Sequence, residues 1–311
     1  MRKKKITKAV ILAAGLGTRM LPIAKSVPKE MLPIAEKPAM QYNIEEAVAS
    51  GVTDILIITN RGKEIIENYF DYSPEYESLL ERKSDERSKK TLETIKEIPN
   101  LANIHYIRQK EPKGLGHAVL CAKSFVGEDD FLVIYGDDII IGAVPACKEL
   151  VDVYEKNGGG VCVAAVKEVE LEKVKIYCSL KVKSVENCAD NTEFYVYDMI
   201  EKPKTEKEIF SRYAILGRVL LTPEIFAILE NQKPGTGNEI QLTDSMRTLV
   251  TSVPENARAK MIAKVFSGER HDMGSKLGFL RANVIEGVKN PEFGEDFKEF
   301  LKEFAASLLN S

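Results

Sequence analysis

The chain has 311 residues, 44% of them hydrophobic and 29% charged, and 44 Lys plus Arg against 47 Asp plus Glu leave a net charge of -3. That size supports a substantial buried core, and the near-neutral balance excludes a general electrostatic attraction to nucleic acid, though not a local basic pocket. Cys121, Cys147, Cys162, Cys178 and Cys188 are odd in number and scattered, with no C-x-x-C pair, which argues against a disulfide framework and fits a reducing compartment.

Arg2, Lys3, Lys4 and Lys5 precede an apolar run at 9–14, but the run is short and leads into Gly15, Gly17 and Arg19 rather than a cleavage site. It reads as a first buried strand at 10–14, not a signal peptide. No other stretch reaches membrane-spanning length without charge, so no membrane partner and a cytoplasmic location are expected. Residues 15–38 hold Pro22, Pro28, Pro33 and Pro38, so a long shaped loop follows the strand rather than a helix. A helix at 40–50 ends at Gly51, a natural C-cap, and 54–59 is a second buried strand. Another helix starts near Lys63, and the charged segment 74–96 reads as a solvated helical excursion.

Strands follow at 104–108 and 131–135, with a helix at 116–125 between them. This alternation predicts an α/β fold: a Rossmann-like, doubly wound, mixed and mainly parallel sheet. The loops after Ala14, Arg108 and Tyr135 should then face one crevice. The second half is less regular, with strands at 160–166 and 214–221, hairpin strands within 173–199, and helices at 223–230, 240–250 and 276–288. An amphipathic segment at 293–309 carries Phe297, Phe300, Leu301 and Phe304 on one stripe. No linker or repeat divides the chain, so residues 1–311 read as one domain with an inserted hairpin subregion and C-terminal helices.

Ala14-Gly15-Leu16-Gly17-Thr18-Arg19 directly follows the first strand. Glycines let a backbone approach phosphate closely, and Arg19 offers a fork of donors. Lys29 follows between Pro28 and Pro33, on a stretch too rigid to wander. The pattern is neither a P-loop nor a complete G-x-G-x-x-G fingerprint.

The stretch A-A-G-L-G-T-R-M-L-P-(x6)-K-E-M-L-P-I resembles the signature of bacterial UTP–glucose-1-phosphate uridylyltransferases. The resemblance continues through Gln109, Lys113-Gly114-Leu115-Gly116-His117-Ala118, Gly136-Asp137-Asp138 and Glu201-Lys202-Pro203-Lys204. It ends with Asn238-Glu239-Ile240-Gln241-Leu242-Thr243-Asp244 and His271-Asp272-Met273-Gly274. It implies UMP transfer from UTP to a sugar 1-phosphate, with glucose 1-phosphate the expected acceptor and pyrophosphate released. Residues 1–150 would be the nucleotide-binding half, 151–275 the sugar-binding half with the hairpin, and 276–311 the C-terminal helices. Two departures fall on the sugar side: Tyr177-Cys178 stands for the family's Tyr-Gly, and Gly217-Arg218-Val219 for its Gly-Arg-Tyr.

The resemblance implies nucleotide binding by Ala13, Ala14, Gly15, Gly17, Thr18, Arg19, Lys29, Gln109 and Gly114, with Gln109 reading uracil. It implies sugar binding by Glu201 and Lys202, with Asp138, Cys178 and Gly217 beside them, and magnesium held by Asp137 and Asp272. Arg19, Lys29 and Lys202 would carry catalysis, since two polyanions meeting need positive charge and alignment more than a protein nucleophile. Glu201 and Lys202 should diverge, and His271 reads as structural. A homodimer or homotetramer is expected. Transfer to another sugar 1-phosphate, and a catalytically silent nucleotide-sugar regulator, remain alternatives.

Overall fold

A computed structural model describes residues 5–186, 188 and 190–309. In chain order, β1 (Lys8–Leu12) leads through a long loop to the two-residue strands β2 (Pro33–Ile34) and β3 (Lys37–Pro38), then α1 (Ala39–Ala49) and β4 (Asp54–Thr59). Helices α2 (Glu64–Tyr69), α3 (Pro74–Glu81) and α4 (Glu86–Glu97) precede β5 (Asn103–Arg108). The segment expected as one helix at 116–125 is two, α5 (Leu115–Leu120) and α6 (Lys123–Val126). β6 (Phe131–Tyr135), β7 (Asp138–Ile141), α7 (Ala146–Lys156) and β8 (Cys162–Glu168) follow.

After the short α8 (Leu171–Val174), β9 (Cys178–Ser184) and β10 (Glu193–Glu201) form the expected hairpin. β11 (Tyr213–Leu221), α9 (Glu224–Asn231), α10 (Leu242–Thr251), β12 (Met261–Val265) and β13 (Glu269–Asp272) lead to the C-terminal helices α11 (Lys276–Gly287) and α12 (Gly294–Leu309). Strands β7, β12 and β13 and helix α7 were not anticipated. The excursion at 74–96 breaks into α3 and α4 because the Asp85 carboxylate accepts from Ser88 N at 2.9 Å and caps a new helix.

Nine strands make one sheet in the order β5-β4-β1-β6-β11-β8-β12-β10-β9. β5, β4, β1 and β6 run parallel. β11 is antiparallel to β6 and β8, and β12 is parallel to β8. The sheet is therefore mixed, with its parallel half on the N-terminal side.

The central run 9–14 shows why it is apolar at every position. Ala9, Ile11 and Ala13 enter the core on one face, and Val10, Leu12 and Ala14 enter the core on the other. A central strand covered on both sides has no polar face to alternate with. Small residues at 13 and 14 then let the chain leave the sheet and open into the glycine loop. No helix among the described residues is long and apolar enough to cross a membrane.

Candidate active site

A cleft of about 410 Å³ opens beyond the carboxyl ends of β1, β5 and β6 and is lined by Ala14, Gly15, Gly17, Thr18, Lys29, Gln109, Gly114, Tyr135, Asp137 and Glu239. The three loops expected to share a crevice do share it.

The glycine loop is held from below. Lys63, itself buried, donates to Ala13 O and to Glu30 Oε2 (2.9 Å), and Asn60 donates to Ala14 O. Ala13 N donates to Ile58 O at 2.8 Å, so both backbone groups of Ala13 are taken. Ala13 is fully buried and does not line the cleft. It supports the loop, whereas Ala14, Gly15, Gly17 and Thr18 face the cleft. Gly17 has φ 65°, which a side chain rarely adopts.

Lys29 Nζ donates to Asp137 Oδ2 at 2.5 Å, across 108 residues of sequence. Burial pushes the Asp137 carboxyl up, but Lys29, a backbone hydrogen bond and Arg19 together hold the group below its ordinary value. Burial likewise works against the Lys29 charge, and Asp137 and Glu30 reverse that effect and raise it. Arg19 reaches in from the glycine loop, Nη2 at 3.9 Å from Asp137 and Nη1 at 3.9 Å from Asp272.

These side chains converge on one bare α-carbon. A Cβ on Gly274 would lie 2.6 Å from both Arg19 Nη2 and Asp137 Oδ2 and 2.9 Å from Asp272 Oδ1. The antiparallel pair β7–β13 sets Asp138 opposite Asp272, and Met273 N donates to Asp137 O at 2.8 Å. Two carboxylates from distant segments thus face one small space, which suits a hard, oxygen-loving divalent cation.

Asp138, adjacent to Asp137, points elsewhere. It is buried and ion-paired with Arg270 at 2.5 Å. Burial pushes its carboxyl up to about 6, against the pull of Arg270. Gly217, at φ 74°, packs on it, and a Cβ there would lie 2.9 Å from Asp138 Cβ. Asp138 and Gly217 therefore form the backing of the site, not an open sugar contact. Cys178 is buried, and its Sγ accepts from Ile215 N at 3.4 Å. Val219 lies in the core of β11, fully buried, so that departure is absorbed by packing.

Gln109 stands at the far end of the cleft. Its Nε2 donates to Gly114 O (3.1 Å) and contacts His117 Nδ1 (2.9 Å). A carbonyl can only accept, so the nitrogen must face it and Oε1 is left as the outward group. Burial keeps His117 below its ordinary value, consistent with a neutral ring accepting at Nδ1. Gly114, at φ 98°, lies against the 239–240 segment, where a Cβ would come within 2.8 Å of Ile240 O.

Glu201 ends β10 beside Cys178 of β9. Lys202 has φ 47°, and its N donates to Tyr177 O at 2.7 Å. The two side chains do not diverge as expected: Lys202 Nζ lies 3.7 Å from Glu201, because the left-handed backbone at 202 turns the lysine back. Burial raises the Glu201 carboxyl, opposed by a hydrogen bond from Thr243 and by Lys202. His271 is buried, its Nε2 3.4 Å from Glu286.

Residues the sequence did not mark also hold the site. Arg218, fully buried, bonds Glu46, Asn43 Oδ1 and Asp138 O, while Asn43 Nδ2 donates to Gly136 O. The carbonyls on either side of Asp137 are thereby gripped, and Met273 N holds the third. An arginine beside a strand glycine was the sole local signal.

A glycine loop, a lysine and an arginine facing two carboxylates, and an amide at the far end of the cleft fit a nucleotidyl-transferring enzyme. The chain belongs to the nucleotidyl transferase family, whose model matches residues 8–284. It is similar to the UTP–glucose-1-phosphate uridylyltransferase of Staphylococcus epidermidis, 44% identical over 300 residues that cover 96% of this chain and 99% of that one. Among solved structures it is similar to a UDP-glucose pyrophosphorylase complexed with UDP-glucose (TM-score 0.79, 37% identity, 92% of this chain and 100% of that one). It is also similar to the UTP-bound enzyme of Acinetobacter baumannii (TM-score 0.80, 34% identity, 96% of this chain and 99% of that one).

Proposed function

We propose that this chain transfers UMP from UTP to glucose 1-phosphate, forming UDP-glucose and pyrophosphate. The observation that carries this reading is the convergence of Arg19, Asp137 and Asp272 on Gly274, at a cleft whose other end presents Gln109 Oε1. A phosphate oxygen of glucose 1-phosphate attacks the α-phosphorus of UTP. The bond from that phosphorus to the bridging oxygen breaks, and pyrophosphate leaves with the electron pair.

Gln109 accepts from uracil N3–H, a proton that a cytosine ring lacks. The backbone of 14–18 lies along the phosphates, and Arg19 and Lys29 reduce the repulsion between the two anions. Lys202 meets the phosphate of the sugar and Glu201 its hydroxyls. Asp137 and Asp272 would hold a divalent cation, magnesium, which would draw negative charge from the phosphoryl oxygens. The Lys29–Asp137 pair sets both groups in place before substrate arrives, so little reorganisation is needed at the moment of reaction.

The enzyme works as a homodimer or homotetramer in the cytoplasm. The support for assembly is α12, where Phe297, Phe300 and Phe304 stack at 6.2 and 6.0 Å and Phe300 and Phe304 stay about half exposed. Product analysis after incubation with UTP, glucose 1-phosphate and magnesium tests the activity: UDP-glucose and pyrophosphate should appear in equal amounts, and their absence would reject it.

A further inference from the structure

The cleft carries a hydroxyl to which the reaction above gives no task. Tyr135 ends β6 in register with Leu12 of β1, and both line the cleft. Its ring packs on the apolar cluster that contains Leu12, Cys178 and Ile215. Cys178 of that cluster stands opposite Glu201 across the β9–β10 pair, and Asp137 follows Tyr135 by two residues. Among the described residues nothing hydrogen-bonds the hydroxyl. A cleft phenol without a protein partner is open to a ligand's hydroxyl, and this one packs on the cluster whose Cys178 pairs with Glu201.

We infer that the Tyr135 hydroxyl reads the sugar, donating a hydrogen bond to a hexose hydroxyl whose own proton goes to Glu201. The assignment rests on the uridylyl-transfer reading above. Its chemistry is a matter of matched roles. An ionised Glu201 can only accept, so it binds a sugar hydroxyl through that hydroxyl's proton. The lone pairs of the same oxygen then need a donor, and a phenol, protonated at neutral pH, supplies one. Asp138 cannot serve here, because Arg270 already holds it from behind. The ring meanwhile gives the apolar face of the sugar a flat floor. A phenylalanine would keep that floor and lose the donor.

The test is Tyr135→Phe in the full-length enzyme, assayed with UTP and glucose 1-phosphate and with the 2-, 3-, 4- and 6-deoxy analogues of the latter. If the wild-type protein makes no UDP-glucose, the uridylyl-transfer reading fails and the variant is not at issue. With an active wild type, the KM for glucose 1-phosphate should rise roughly 3- to 15-fold, the loss of one neutral hydrogen bond. The KM for UTP should stay within about twofold, as expected if only sugar binding is touched. With one deoxy analogue, the one lacking the shared hydroxyl, wild type and variant should become equal. An unchanged KM for glucose 1-phosphate overturns the assignment. So does a penalty of the same size for every analogue, which would place the effect in the shape of the cleft.

Discussion

Arg218 and Glu46, 172 residues apart in the chain, form an ion pair at 2.6 Å with the arginine fully out of solvent. Glu46 also accepts from Cys147 N at 2.9 Å, so one carboxylate ties α1 to α7 and β11. Through Asn43 and Arg218 this network reaches the carbonyls on either side of Asp137. Its first consequence is for stability. Arg218→Met leaves Glu46 buried without its cation, a change that costs about 3–5 kcal/mol. Denaturant unfolding at neutral pH should show a loss in that range. A loss below about 1 kcal/mol would mean that the pair does not hold the turn.

Asp137→Asn should lower turnover at least about 100-fold, the size of removing one strong electrostatic contributor, while circular dichroism stays native. Gly274→Ala should do similar damage by a different route. Its methyl would stand 2.6 Å from Arg19 Nη2 and Asp137 Oδ2, in the space assigned to phosphate and cation. Near-normal turnover in either purified variant would contradict that assignment.

Gln109→Ala should weaken UTP by roughly 1–3 kcal/mol, the cost of leaving a buried polar edge unpaired, with glucose 1-phosphate saturation unchanged. An equal loss for both substrates would show that Gln109 does not read the base.

The orientation of that amide should depend on pH through His117. Burial lowers the His117 pKa from 6.5, so the folded protein favours the neutral ring. The stability it contributes is present above 6.5 and is lost as pH falls through the lower folded value. A protonated ring cannot accept at Nδ1, and Gln109 would lose one of the two bonds that aim Oε1 outward. UTP affinity by calorimetry should therefore fall below pH 6.5 more steeply in the wild type than in His117→Leu. Parallel pH profiles would leave the fall to the titration of UTP itself and refute the link.

Lys202→Ala should raise the glucose 1-phosphate requirement and lower turnover, with calorimetric UTP binding nearly intact. Lys204→Ala, two residues on, should be milder. Collapse of UTP binding in the Lys202 variant would place that lysine at the nucleotide instead.

Light scattering at micromolar concentration should give a dimer or tetramer, and Phe300→Asp with Phe304→Asp should shift it toward monomer. A monomeric wild type would show that the α12 stripe serves no assembly.

The sequence alone determined the order of chemistry along the chain. The glycine loop, Lys29 on its proline-stiffened stretch, Gln109 at a strand end and Asp137 after a buried strand were all legible. In an open α/β sheet the strand ends bring such loops to one side whatever the helices between them do. The β9–β10 hairpin and most helices were legible from periodicity for the same local reason.

What only the tertiary structure decided was which of those residues are free to act. Asp137 and Asp138 are equivalent in sequence, yet Asp137 faces the cleft beside Lys29 while Asp138 is buried behind it against Arg270. Ala13 and Ala14 are equally equivalent, yet Lys63 and Ile58 use up both backbone groups of the first. Arg218 gave no sign of Glu46, and Gly274 none of the three side chains that crowd it. Contacts across 100 residues or more, as between Lys29 and Asp137, leave no spacing to read. They exist because burial makes each polar group find a partner, and the fold alone sets which one lies within reach.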